Sequence, residues 1–361
     1  MKTLLILTVA ALCLVSAGRE ARAAREVVIE REAAERFIVL PDGVRFPEGI
    51  AASTRTGDLY VSTFDFGPNS NKLLRYDKTG RLLAEKDFGP APLLGLLFNA
   101  ADDKVYICNF GASKIQRIAA SFTAATPVED VAKLPPLGPP PPRSENNPDG
   151  SADLIVFGSN SFPAPNALVF DKAGNLFVSD SFQGAILKIA AAASCAGACV
   201  AAPVKHDGLL ATAGFPPFGA NGLAFDREEK FLFVANTGDD RVLRLEMSSN
   251  DLVVFAESLN GADGLWMDRQ GTLWVAANQA DEIVGLNAKG RPIARLGEFV
   301  GIRDDGTPRG LLFPASIVIL GKEMFVTNLA LPLTPAQGDE PEEDVTRWTI
   351  SRIHLPETKD R

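Results

Sequence analysis

The sequence reads as an all-β chain folded into a six-bladed β-propeller around a central metal-binding channel. Three observations predict this. One plan of strands recurs six times, no long amphipathic helical pattern interrupts it, and four oxygen-bearing side chains sit at equivalent places in the repeat. Each repeat opens with an apolar strand containing small residues and turns through Asp, Gly, Lys or Asn. It then enters a strand of the type Leu-aromatic-Val-small-polar. Starts near residues 48, 94, 166, 221, 263 and 315 give a spacing that suits propeller blades with variable insertions.

Taken in chain order, the first residues stand apart from the fold. Lys2 precedes an apolar run from Leu4 to Ala17, and Ala21-Arg22-Ala23 suits signal peptidase, so residues 1–23 read as a signal peptide. The run is short of the ~20 residues that a membrane span needs. Cys13 follows Leu12 rather than Gly or Ala, which argues against a lipid anchor. The expected product is residues 24–361, a secreted or periplasmic monomer without membrane contact after cleavage. The whole chain has 361 residues and a formal charge of −9. Lys2, Arg19 and Arg22 against Glu20 account for +2 of that charge, so the remainder carries −11. An acidic protein without a basic stripe argues against nucleic acid as a partner and is compatible with binding a cation.

A weak helical pattern covers Glu26 to Arg36. The segment Arg36-Phe37-Ile38-Val39-Leu40 is expected to join the last blade beside Trp348-Thr349-Ile350-Ser351-Arg352-Ile353, closing the ring and leaving no long exposed edge. The second strands are Leu59-Tyr60-Val61-Ser62, Val105-Tyr106-Ile107-Cys108, Leu176-Phe177-Val178-Ser179, Phe231-Leu232-Phe233-Val234, Leu273-Trp274-Val275-Ala276 and Met324-Phe325-Val326-Thr327. Most are followed by a third strand of basic-apolar alternation, such as Lys72-Leu73-Leu74-Arg75-Tyr76, and Gly and Asp punctuate the hairpins.

The largest insertion, residues 120–165, contains Pro139-Pro140-Pro141-Pro142 and reads as a long loop over one face rather than a separate domain. Within it Asn147, Asp149, Ser151 and Asp153 alternate like the start of a calcium loop but lack the distal acid, so an Asx turn is expected. Residues 337–344 form an acidic, solvated loop. Cys195 and Cys199 are expected to close a local disulfide in an oxidising compartment, and Cys108 to pack as a small hydrophobe.

Common hydrolytic constellations are missing from the sequence. There is no G-x-S-x-G and no H-E-x-x-H, and with only His206 and His354 a Ser-His-Asp triad is hard to build. What remains is the set of blade starts. In a propeller the innermost strands line the channel, so equivalent residues there converge on one axis. Blades 1, 3, 4 and 5 supply Glu48, Asn166, Asn221 and Asp263, while blades 2 and 6 supply Leu94-Gly95 and Ala315-Ser316. Two carboxylates and two amide carbonyls are the donors a hard divalent cation such as Ca2+ takes. Ordinary turn formation would explain Asn and Asp at strand starts, but Glu48 is a poor turn former. Asp180, Asn236 and Asn278, at the far ends of second strands, are expected to cap those strands.

The motifs Asn166-Ala167-Leu168-Val169-Phe170-Asp171, Asn221-Gly222-Leu223-Ala224-Phe225-Asp226 and Asp263-Gly264-Leu265-Trp266-Met267-Asp268 resemble those of the SMP-30/gluconolactonase/luciferin-regenerating-enzyme family. That family sits in a superfamily of six-bladed propellers with calcium-dependent lactonases and phosphotriesterases. The resemblance implies a catalytic calcium or similar ion held by Glu48, Asn166, Asn221 and Asp263. It implies metal-assisted hydrolysis of a small lactone or ester, with Asp263 as general base and Glu48 mainly a charge-neutralising ligand. Where paraoxonases and diisopropylfluorophosphatase carry a histidine near the last blade start, this chain has Phe313-Pro314-Ala315-Ser316, which favours a lactonase mechanism over theirs. The alternative is a non-catalytic propeller of the NHL type that binds a ligand or protein. A strictosidine-synthase-like propeller lacks this metal set.

Overall fold

The computed structural model describes residues 28–30, 33–158, 162–195 and 199–355. The expected signal peptide, 1–23, lies outside the described residues. Six sheets, each with four antiparallel strands and one carrying a fifth, form the blades: 47–87, 93–133, 165–206, 220–257, 262–296, and 314–354 completed by Ala34–Val39. Within each blade the chain steps from the inner strand outward. The last blade is the exception, because its outer strand comes from the start of the fold. Ala34–Val39 pairs antiparallel with Thr349–His354, Ala34 opposite Ile353 and Val39 opposite Thr349. The ring closure expected from the sequence is therefore present.

The second strands Leu59–Thr63, Leu176–Asp180 and Leu273–Ala277 are buried at every residue. Each blade is sandwiched between two neighbours, so its middle strands have no solvent face and read as continuous apolar runs. Aromatics of the second strands pack on the next blade. Tyr60 stacks on Phe98 with ring centroids 6.3 Å apart, Tyr106 meets Phe170 edge-on at 5.1 Å, and Phe177 meets Phe225 edge-on at 5.2 Å. Rings in such offset and T-shaped contacts add to the area they bury.

Each inner strand begins with a register shift, and the residue after the site position is small. Close approach between blades is the reason. A Cβ on Gly49 would sit 2.4 Å from the Leu94 carbonyl oxygen, and one on Gly222 would sit 2.2 Å from that of Asp263. Only a bare backbone fits there.

Two segments differ from the sequence reading. The weak helical pattern at 26–36 is not realised as a helix among the described residues. Val28–Glu30 instead adds a parallel fifth strand to blade 5 and Ala34–Val39 fills blade 6, because pairing with open strand edges satisfies more backbone groups than a short isolated helix. The excursion read as 120–165 gives Glu129–Lys133 to blade 2 as its outer strand and forms a hairpin, Arg143–Asn146 with Ala152–Ile155. At the hairpin tip Ser151 N–H and Oγ both donate to Asp149 Oδ1, at 2.9 and 2.7 Å, so this is the expected Asx turn.

Cys195 and Cys199 form a disulfide. Arg117 of blade 2 fixes that loop by donating to the carbonyls of Ala192, Ala193 and Cys195. Cys108 is fully buried and its thiol is pushed well up by burial. Among the described residues no helix is long and apolar enough to cross a membrane.

Candidate metal centre

The structure brings Glu48, Asn166, Asn221 and Asp263 together around one cavity of about 50 Å³ on the propeller axis. All four are buried, at 2–5% exposure. On the opposite side a larger, apolar chamber of about 270 Å³ continues down the channel past Leu97, Phe225 and Trp266. Asn166 and Asn221 border both spaces, so the two asparagines stand where they meet.

The register of the blades explains the arrangement. In each blade the first inner-strand residue pairs with the last residue of the second strand, as Pro165 with Asp180 and Ala220 with Asn236. The residue after each partner then stands beside the site position of the same blade. In blades 3, 4 and 5 these neighbours are polar: Ser181, Thr237 and Asn278. In blades 1, 2 and 6 they are Phe64, Phe110 and Leu329.

The polar neighbours determine which way the amides point. Ser181 Oγ donates to the Ala220 carbonyl at 2.7 Å, so its lone pairs must receive the Asn166 amide NH2 at 2.9 Å. Thr237 Oγ1 likewise donates to the Ala262 carbonyl at 2.7 Å and accepts from the Asn221 NH2 at 2.9 Å. Each asparagine nitrogen gives one N–H to a hydroxyl, which fixes the amide's orientation and leaves its oxygen as the group available for a cation. Both hydroxyls bond to the first residue of the next blade, so the ligand of one blade is tied to the backbone of its neighbour.

The carboxylates are held differently. Asn278 Nδ2 donates to Asp263 Oδ2 at 3.0 Å, while Asp263 Oδ1, Asn278 Oδ1 and Glu48 Oε2 are buried without a hydrogen-bond partner. Neither carboxylate has an ion-pair partner among the described residues. Burial raises the Glu48 pKa well above the usual range, and the charge of Asp263 adds to the shift. Burial also pushes Asp263 up to about 7, against the opposing hydrogen bonds of Asn278 and Asn221. Two desolvated carboxylates facing orphaned lone pairs are costly unless a cation or protons neutralise them.

This donor set fits a divalent cation: two anionic oxygens, two amide oxygens, and no ammonium or guanidinium competing for them. No group of three or more His, Cys, Asp or Glu side chains suited to a metal occurs among the described residues, so the set depends on its amides.

Of the strand-end residues expected to act as caps, two do so. Asp180 accepts from the backbone N–H groups of Ala164, Phe182 and Gln183, and Asn236 donates to the carbonyls of Leu209 and Ala211. Asn278 instead orients Asp263. Sequence reading also passed over Ser181 and Thr237. Their signal was a polar residue 15 or 16 positions after each asparagine, one step past the second strand. Neither histidine borders the cavity. His206 is in the outer strand of blade 3, and His354 pairs with Glu323 at 2.8 Å.

Comparison with known proteins follows the same lines. Residues 164–297 match the SMP-30/Gluconolactonase/LRE-like region model, a stretch that carries Asn166, Asn221 and Asp263. No curated protein sequence matches the chain significantly. Among solved structures, the calcium-binding protein regucalcin from Agrobacterium tumefaciens is similar with a TM-score of 0.58, 14% identity and coverage of 91% of this chain and 97% of that one. A gluconolactonase from Xanthomonas campestris gives 0.51 at 16% identity, covering 88% and 89%. Virginiamycin B lyase from Staphylococcus aureus gives 0.51 at 14% identity, covering 88% and 98%. At these identities the likeness establishes the fold alone. That a lyase shares it shows that the reaction must be argued from the site.

Proposed function

We propose that this protein is a hydrolase of lactones or related esters that works with a divalent cation, calcium, held by Glu48, Asn166, Asn221 and Asp263. The observation that carries the reading is the pair of buried, partnerless carboxylate oxygens beside two amides whose nitrogens are held by hydroxyls. The family match over residues 164–297 supports the lactonase class. The disulfide between Cys195 and Cys199 supports an extracytoplasmic setting, which agrees with the export signal read at 1–23.

When bound, such a cation supplies a Lewis acid that polarises a carbonyl oxygen. The side chains divide the remaining work. Asn278 holds Asp263 Oδ2, leaving Oδ1 to accept a proton from the water that attacks the acyl carbon. That proton then passes from Asp263 to the departing alkoxide oxygen, so lactone and water give one hydroxy acid and the carboxylate is restored. Glu48 supplies the second negative charge, and its backbone carbonyl is fixed by Thr327 Oγ1 at 2.7 Å. Ser181 and Thr237 keep the two amides aligned. The surrounding Phe64, Leu94 and Phe313 exclude bulk water, which strengthens every charge interaction inside.

The test is metal content and hydrolysis of a panel of lactones, aryl esters and phosphotriesters, for the wild type and Asp263→Ala. One bound divalent ion and chelator-sensitive turnover, both reduced in the variant, are expected. A folded, metal-free protein that turns over no member of the panel would leave the non-catalytic binding propeller as the reading.

A further inference from the structure

We propose that the substrate is lipophilic, its alkyl or aryl part lying on an apolar wall that blades 6, 1 and 2 begin and phenylalanines of the loops at blades 3 and 4 continue; this rests on the hydrolase reading above. The positions that hold Ser181, Thr237 and Asn278 in blades 3 to 5 are Leu329, Phe64 and Phe110 in the other three. The ring around the site is therefore split into a polar and an apolar half, and a reacting carbonyl belongs to the first. A cavity of about 50 Å³ holds little beyond that group, so the rest of a substrate must rest on the mouth.

The mouth is aromatic. Phe64, Phe110, Phe182 and Phe218 form a closed circuit, with successive centroids 5.5, 5.6, 5.3 and 6.1 Å apart. Phe66, 67% exposed, caps the circuit edge-on to Phe64 at 4.7 Å. An aromatic surface thus runs without a break from solvent to the cavity. Phe313 adds to this wall from a left-handed backbone, φ 48°, held by its N–H donating to Asp281 Oδ1 at 2.8 Å. Such a conformation persists only where its surroundings enforce it.

The polar inventory argues against a sugar-like substrate, because it is confined to the reacting centre. No Arg, Lys or His borders the cavity. The hydroxyl of Thr237 already donates to one group and accepts from another, and the Asn278 nitrogen is committed to Asp263. What is left uncommitted is the second N–H of each amide and the unpartnered oxygens of Glu48, Asp263 and Asn278, all of which belong to the reacting centre. A polyhydroxylated lactone would press its hydroxyls against phenylalanine and leave them unpaired.

The experiment compares kcat/KM for γ-lactones carrying ethyl, butyl and hexyl chains with glucono-δ-lactone. In parallel, cyclopentanones with the same chains, which cannot be hydrolysed, are titrated calorimetrically. We expect roughly a fourfold gain in kcat/KM and in affinity per added methylene, as burial of one methylene gives. Phe110→Ser and Phe66→Ser should flatten that dependence. The exposed position of Phe66 keeps the test informative if Phe110→Ser fails to fold. Chain-dependent ketone binding without any turnover would support the apolar wall and overturn the hydrolase reading. Turnover of glucono-δ-lactone above the hexyl lactone would overturn the wall and keep the hydrolase. Chain-independent binding together with no turnover would overturn both.

Discussion

The side-chain hydroxyl of Thr327, in the last blade, donates to the main-chain carbonyl of Glu48, in the first, over 2.7 Å. It also receives the Ser316 N–H at 2.9 Å, so one buried hydroxyl joins the two ends of the ring and fixes a candidate ligand by its backbone. Thr327→Val keeps the shape and deletes the donor. Stability should fall by about 1–3 kcal/mol, the usual cost of an unpaired buried acceptor. Urea unfolding reads that loss, and a calcium titration should show weaker binding although the variant alters no proposed ligand side chain.

Asp263→Asn tests charge separately from shape. The amide can still offer an oxygen to a cation and a partner to Asn278, but it cannot accept a proton or neutralise a second positive charge. Turnover should fall by at least about a hundredfold, the range for losing a general base, and calcium affinity should fall as well. Asp263→Asn with unaltered turnover would remove this residue from the proton path.

Burial raises the pKa values of Glu48 and Asp263 in the metal-free fold, that of Asp263 to about 7. The folded state therefore holds protons that the unfolded chain has released, and stability declines as pH rises from about 4, the ordinary carboxylate value, to about 7. The slope is at most about 1.4 kcal/mol per pH unit for each group. Chelator-treated protein should melt higher at pH 5 than at pH 8. Added calcium should raise the melting temperature more at pH 8, where both carboxylates are charged. Equal calcium stabilisation at both values would disconnect the ion from this pair.

Gly222→Ala should be severely destabilising, because the new Cβ would lie 2.2 Å from the Asp263 carbonyl oxygen and nothing there can yield except backbone. The converse change, Ala167→Gly at the equivalent position of blade 3, should cost only about 0.5–1 kcal/mol through chain entropy. Paired denaturation curves check the contrast.

Much of this was legible in the sequence because a repeat prints its period. The six blade starts, the closing strand before Leu40 and the convergence of Glu48, Asn166, Asn221 and Asp263 all follow from equivalence between repeats. What escaped was governed by contacts across blades. Ser181 and Thr237 look like loop residues until the register sets them beside the asparagines, and Asn278 resembles the capping Asn236 until its partner is seen. The extra strand Val28–Glu30 pairs with Pro292–Leu296, more than 250 residues away, and no local pattern announces such a partner.

The split ring has a consequence for descent. Blades 3, 4 and 5 hold three of the four candidate ligands and their polar supports, while the equivalent apolar positions, Leu329, Phe64 and Phe110, come from blades 6, 1 and 2. Mutations that reshape the second set can redirect what is accepted without disturbing most of the first. A lineage could thus try new substrates while its chemistry stayed intact. Glu48, which stands on an apolar blade yet serves the polar centre, is where those two inheritances meet.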